Sequence, residues 1–326
     1  MKRLPSSILA ATLVVILAAC AGSTGGLGSA PTPAPTPSAD PTGPDLTPAP
    51  SDSPAASSTE PSGEPDSSPG ATGSPAASPT GTRIVRAYFV LGGDPGSVGL
   101  VPVLREVPKT AQVATTAMNA LLTGPTSAES GDRAITSAIP AGTRLLGISI
   151  KSGVATVDLS TEYDSGGGSA SMQYRLAQVV YTLTQFSTVR SVVFQIEGET
   201  VTVFGSEGIV LDGPVGRAQY YDQLPAMFVD RPAFGAALVN PGHVSGNADV
   251  FEATFRVAIL DATGKSLVDQ QVMAACGTGC RGTFDVIVSY TVAKGQWGTL
   301  RVYNPSAKDG TAEDIREYPV WLAPAS

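Results

Sequence analysis

Histidine is almost missing from these 326 residues, with His243 the only one. A His-rich zinc arrangement is thereby excluded. His243 follows Pro241-Gly242, the setting of a turn residue rather than of the base in a Ser-His-Asp triad. Basic residues are in deficit, 20 Lys and Arg against 28 Asp and Glu, for a formal net charge of −8. Nucleic acid and anionic lipid surfaces both select clustered Lys and Arg, so neither is expected as a partner. Long apolar runs are lacking too. The stretch from Ile8 to Ala19 is a dozen residues, short of the ~20 that a spanning helix needs.

That short stretch has an identity of its own. Lys2 and Arg3 precede it, and Leu17-Ala18-Ala19 ends it just before Cys20. A basic start, an apolar middle and small residues at the end describe a secretory signal peptide over residues 1–19. A cysteine at the first mature position resembles the bacterial lipobox, whose thiol receives a diacylglycerol before the signal is removed. The resemblance implies lipidation at Cys20 and a place on the extracytoplasmic face of the cell membrane, held by the lipid. Losing Lys2 and Arg3 leaves 18 basic against 28 acidic residues, a mature charge of −10. Cys276 and Cys280 then remain as an even pair. Outside the cytoplasm such a pair is expected to be a disulfide rather than a redox or metal site, and Gly277 and Gly279 permit the tight path.

After Cys20, the segment through residue 82 is almost entirely Pro, Thr, Ser, Ala and Gly, with 14 of the 27 prolines. From Ala21 onward it has no aromatic residue and no Lys or Arg. It cannot bury enough apolar area to offset the entropy of ordering, so a disordered linker is expected. At ~3.1 Å per residue its 62 residues from Ala21 would span roughly 190 Å as extended polyproline. Its role is distance.

Composition changes at Arg83. Ile84–Leu91 and Leu100–Val107 read as strands. Thr110 is the expected cap of a helix carrying Val113, Ala117, Ala120 and Leu121, which Gly124-Pro125 stops. Leu145–Ile150 and Val154–Leu159 make a hairpin, Ser169 and Ser171 are candidate caps of a second helix, and a last hairpin turns at Glu197-Gly198-Glu199. The order ββαββαββ predicts an α+β domain over 83–222, two helices on an antiparallel or mixed sheet. Ala87-Tyr88-Phe89, Val101-Pro102-Val103-Leu104-Arg105, Leu121-Leu122-Thr123-Gly124-Pro125, Ala138–Thr143, Val154–Ser160 and Ala177–Phe186 occur in this order. In them the segment resembles the sporulation and spore germination (GerMN) domain. That resemblance implies an extracytoplasmic domain linked to envelope assembly, similar in fold to ring-building domains, with no catalytic set to transfer.

Over 226–326 the period becomes two. Phe251, Ala253, Phe255, Val257 and Ile259 alternate with Glu252, Thr254, Arg256, Ala258 and Leu260. About seven short strands and no helical pattern predict an all-β sandwich. Asn240-Pro241-Gly242, Val244–Ala248, Phe251-Glu252-Ala253 and Ser306–Gly310 resemble the immunoglobulin-like domain of bacterial spore germination.

The remaining chemical candidates are weak. Gly264-Lys265-Ser266 looks like the end of a phosphate loop, but Ile259 stands where that motif needs Gly. Gly166–Gly168 reads as a flexible helix entry before an anion cradle. Glu197 and Glu199 at a hairpin tip, with Glu162 and Asp164 after a strand, read as solvated groups rather than a glycosidase pair. Trp297 and Trp321 read as sandwich core or edge packing before sugar stacking. The expectation is a non-enzymatic envelope binding or scaffold protein without catalytic residues, metal or cofactor. Its partners would be envelope proteins or cell-wall glycan; the alternative is a solute- or glycan-binding lipoprotein.

Overall fold

The computed structural model describes residues 81–93 and 96–324. The signal peptide, Cys20 and the linker before residue 81 lie outside the described residues. Apolar residues on both faces set the first two strands, β1 (Thr82–Leu91) and β2 (Gly99–Pro108), which pair antiparallel along all ten residues. Helix α1 (Val113–Leu122) turns Ala114, Ala117, Met118 and Leu121 inward. Its N-cap is Gln112, not Thr110, whose hydroxyl instead accepts the Gln112 N–H at 3.2 Å. The helix ends as expected, with Gly124 at φ 83° donating to the Leu121 carbonyl.

A second helix, α2 (Ser127–Asp132), was not legible from hydrophobic period. Its signal is a capping box: Thr126 accepts from the Glu129 N–H, and Glu129 accepts from the Thr126 N–H at 2.7 Å. The two-residue β3 (Ile135–Thr136) pairs with the end of β1. Strands β4 (Leu145–Lys151) and β5 (Val154–Leu159) form the expected hairpin, turning at Ser152 and Gly153, both at positive φ. Helix α3 (Ser169–Leu183) starts from Gly168, so neither Ser169 nor Ser171 is its N-cap. It connects β5 to β6 (Ser191–Ile196), which runs parallel to β5. Short strands β7 (Glu199–Thr200), β8 (Val203–Phe204) and β9 (Ile209–Val210) follow.

The region is therefore α+β with helices on mixed and antiparallel strands. It has two main sheets, β2-β1-β3 and β4-β5-β6-β7, where a single one was expected. The reason is local: on the side of β1 away from β2, the backbone of Arg86 and Tyr88 is taken up by side chains of α3 and of Gln185 just beyond it, so no second strand pairs there.

From Met227 the described chain has no α-helix. Strands β10 (Met227–Arg231), β11 (Ala237–Leu238), β12 (Gly242–Ala248), β13 (Thr254–Leu260), β14 (Ser266–Met273), β15 (Gly282–Val288), β16 (Gln296–Pro305) and β17 (Ala312–Leu322) form two sheets. These are β10-β12-β15 and β11-β17-β16-β13-β14. Phe255 of one meets Phe284 of the other with ring centroids 4.9 Å apart. The alternation expected from Phe251 begins only at Thr254. Phe251 lies in a 3-10 turn and is 72% exposed. The loop closed by the Cys276–Cys280 disulfide holds that turn: the Val250 carbonyl accepts from the Thr278 N–H, and the Thr278 hydroxyl accepts from the Glu252 N–H. A Cβ on Gly277 would fall 2.2 Å from the Ala253 nitrogen, so a glycine is required at this approach.

One contiguous buried cluster runs from Ala87 of β1 to Leu322 of β17 through both regions. Phe234 donates its N–H to the Pro102 carbonyl, and the Phe228 and Tyr181 rings meet at 6.0 Å. Buried Arg316 of β17 donates to the carbonyls of Ser97, Gly99 and Leu100.

Candidate functional site

His243 lies in strand β12, not in a turn, with Nδ1 2.8 Å from Asp285 Oδ1 at an exposed position. Glu197 accepts from the Thr161 N–H, Asp164 accepts from the Gly205 N–H, and Glu162 faces Arg144 at 3.8 Å. Glu199 is exposed in β7. These carboxylates brace turns; among the described residues no cluster of His, Cys, Asp or Glu suits a metal. Gly264-Lys265-Ser266 forms a strand–turn–strand corner in which Asp261 Oδ1 accepts from the Thr263 and Lys265 N–H groups. Those bonds hold the Asp261 carboxyl below its ordinary pKa, the Thr263 hydroxyl contributing most.

The triple glycine has a more definite role than a flexible entry. Carbonyls of Tyr163, Ser165 and Gly166 turn inward and accept from the guanidinium of Arg175, at 2.5, 3.1 and 3.0 Å. A turn that presents carbonyls holds a cation, so the anion-cradle alternative fails on polarity. Arg175 is buried and forms no ion pair among the described residues, and burial lowers its pKa against the raising effect of Tyr163 and Asp164.

Sequence reasoning missed a polar stripe on α3 and just beyond it. Gln178 accepts the Ala138 N–H at 2.7 Å and donates to the Tyr88 carbonyl at 2.9 Å. Thr182 accepts the Tyr88 N–H, while Gln185 binds both backbone groups of Arg86. Spacing of four and three puts these residues on one helix face. They do for β1 what a neighbouring strand would do.

Strand β4 has no such cover. It is the terminal strand of its sheet and pairs with β5 alone. Leu146 and Ile150 are 44% and 39% exposed, with Leu145 and Ile148 half-buried beside them. Between β4 and α1 runs a groove of about 610 Å³, bounded by Gln112, Val113, Asn119, Ile148 and Phe186. A bare strand edge next to an apolar groove can take an added strand, with backbone hydrogen bonds for affinity and side-chain pockets for specificity.

Trp297 and Trp321 are in neither the core nor a sheet edge. They are cross-strand partners on the outer face of β16 and β17, two inner strands of the five-stranded sheet. Their ring centroids are 5.6 Å apart and the planes meet at 81°.

Comparison with known proteins follows this division of the chain. Residues 86–202 match the family described as sporulation and spore germination, and residues 226–311 match the immunoglobulin-like domain of bacterial spore germination. The first GerMN domain of the sporulation protein GerM from Bacillus subtilis is 24% identical, covering 42% of this chain and 98% of its own at a TM-score of 0.36. The tandem GerMN domains of the same Bacillus subtilis protein are 16% identical over 64% of this chain and 62% of theirs, at a TM-score of 0.37. No curated protein matches the chain.

Proposed function

We propose that this is a non-enzymatic, lipid-anchored protein of the bacterial envelope that binds a protein partner through the bare edge of β4, in a role related to sporulation or germination. The β4 edge carries the reading: Gln178 and Thr182 of α3, with Gln185 just beyond it, blunt the edge of β1, while β4 keeps apolar residues and no such cover. The two spore-germination domains supply the biological setting. Cys20 is the anchor in this reading, and the linker sets the height of the head above the membrane.

The test uses the full anchored chain with a photo-crosslinking residue at Leu146 or Ile150, and a control at exposed Met273 of β14. Protein adducts are expected from the two β4 positions and not from the control. A Leu146→Lys, Ile150→Lys double variant should fold normally and lose partner capture, while Cys20→Ala should leave the membrane fraction. Adducts that form equally at Met273, or that survive the lysine pair, would overturn the reading.

A further inference from the structure

Trp297 and Trp321 are the only tryptophans in the chain, and they are 53% and 40% exposed. An indole left half in water forgoes burial that a core position would supply. The chain also makes room for this pair. A Cβ on Gly295 would lie 2.9 Å from Trp321 Cζ2, so the turn before β16 gives up a side chain where the indole rests.

Two clefts, of about 480 and 330 Å³, open beside Trp297, and both are lined by Arg133 and Pro319. The larger is rimmed by Asp261, Thr263, Thr299 and Glu317. Arg133 reaches in from the end of α2, so the site draws on both regions of the fold. The neighbouring charges are already spent: Arg301 pairs with Glu317 at 2.6 Å and Arg105 with Glu129 at 2.7 Å. Arg133 has no hydrogen bond or ion pair among the described residues.

We infer that the cleft beside Trp297 is a sugar-binding site that stacks a pyranose ring on the Trp297 indole, braced edge-on by Trp321, and holds a carboxylate of that sugar with Arg133. A pyranose has C–H faces that pack on an indole and hydroxyls around its rim. Asp261, Thr263 and Thr299 offer those hydroxyls donors and acceptors. A carboxylate would give Arg133, which has no partner among the described residues, a charge-assisted pair. A proline-rich peptide also stacks on exposed tryptophan, but it binds between aromatic ridges and brings no anion for Arg133. The polar rim and the Arg133 guanidinium favour the acidic sugar.

The site carries its own reporter, because intrinsic tryptophan fluorescence of the full chain arises here alone. We would titrate the chain with the disaccharide of N-acetylglucosamine and N-acetylmuramic acid, with digalacturonate, with diacetylchitobiose and with a proline-rich peptide. The first and third share a sugar backbone and differ in the lactyl carboxylate. A saturable response to the muramyl disaccharide is expected, at least ten-fold tighter than to diacetylchitobiose. Response to digalacturonate as well would broaden the ligand to carboxylated pyranoses; its absence would narrow it to wall glycan. Arg133→Gln, at an exposed site, should erase the ten-fold preference and spare neutral-sugar binding. Trp297→Ala should abolish all sugar binding, and Trp297→Phe should retain it if the alanine variant unfolds. The lysine pair on β4 should change none of these values, which separates the two surfaces. No response to any sugar, equal affinity for charged and neutral disaccharides, or a response to the peptide alone would overturn the inference.

Discussion

At the residue scale the most informative side chain is Tyr88. It is fully buried, donates its hydroxyl to Asp230 at 2.5 Å, and accepts from Arg217 at 3.4 Å. Arg86 binds the other oxygen of the same aspartate at 3.1 Å. Burial pushes the phenol from its ordinary value of 10.0 up to about 12. The direction fixes the pH dependence. Below the unfolded pKa near 10 the phenol is protonated in both states, and its stabilising effect is fully present. As pH rises toward about 12, the unfolded chain releases the proton while the native state keeps it, so stability falls. Burial pushes Tyr163, Tyr181 and Tyr220 the same way, which deepens the loss. Urea midpoints should therefore drop steeply between pH 10 and 12, and Tyr88→Phe should show a shallower drop. Equal slopes in the two proteins would sink this account. None of it was legible beforehand, because Tyr88 reads as one apolar residue in a strand and its partners lie more than a hundred residues away.

At the scale of elements, strands announced themselves by alternation and helices by period, yet α3 was misread in one respect. Helical period puts Met172, Leu176, Val179, Val180 and Leu183 on one apolar face, and polarity alone would then assign Gln178 and Thr182 to solvent. In the structure every residue from Arg175 to Leu183 is buried. A helix buried all round has no wet face, so polarity cannot be equated with exposure. The usable signal was the absence of Asp, Glu, Lys and Arg from Leu176 to Val189. Replacing Gln178 by Leu keeps the volume roughly constant but strips partners from the Ala138 N–H and the Tyr88 carbonyl. Two orphaned backbone groups should cost about 2–4 kcal/mol, read as a lower urea midpoint at unchanged m-value. Half-buried Gln195, whose amide reaches only the Thr200 hydroxyl, should tolerate the same substitution. The β4 edge was more legible, since its hairpin was predicted nearly residue by residue; that it ends its sheet depends on pairings the sequence does not state. The tryptophans were misplaced for a related reason. Alternation assigns a residue to one of two faces of a strand, and an aromatic is assigned by habit to the inner one.

At the scale of the molecule the chain reads as two domains, but the structure joins them through a buried arginine. Arg316 reaches from β17 to the carbonyls of Ser97, Gly99 and Leu100, and its Nε donates to Tyr318 at 2.7 Å. Among the described residues no carboxylate pairs with it; backbone oxygens of the first region do. With one core running through both regions, the two should unfold together. The molecule supplies a separate probe for each region. Both tryptophans lie in the sandwich, and among the described residues every α-helix lies in the first region. Tryptophan fluorescence and helical circular dichroism should therefore give the same urea midpoint in the native sequence. Arg316→Ala removes the guanidinium bonds to the carbonyls of Ser97, Gly99 and Leu100 and should cost about 3 kcal/mol or more. Since the lost bonds lie between the regions, the two midpoints should then separate, with the region that keeps more of its own core melting last. Midpoints that already differ in the native sequence would mean that the interface does not couple the regions. Midpoints that fall together in the variant would mean that the shared core couples them without Arg316.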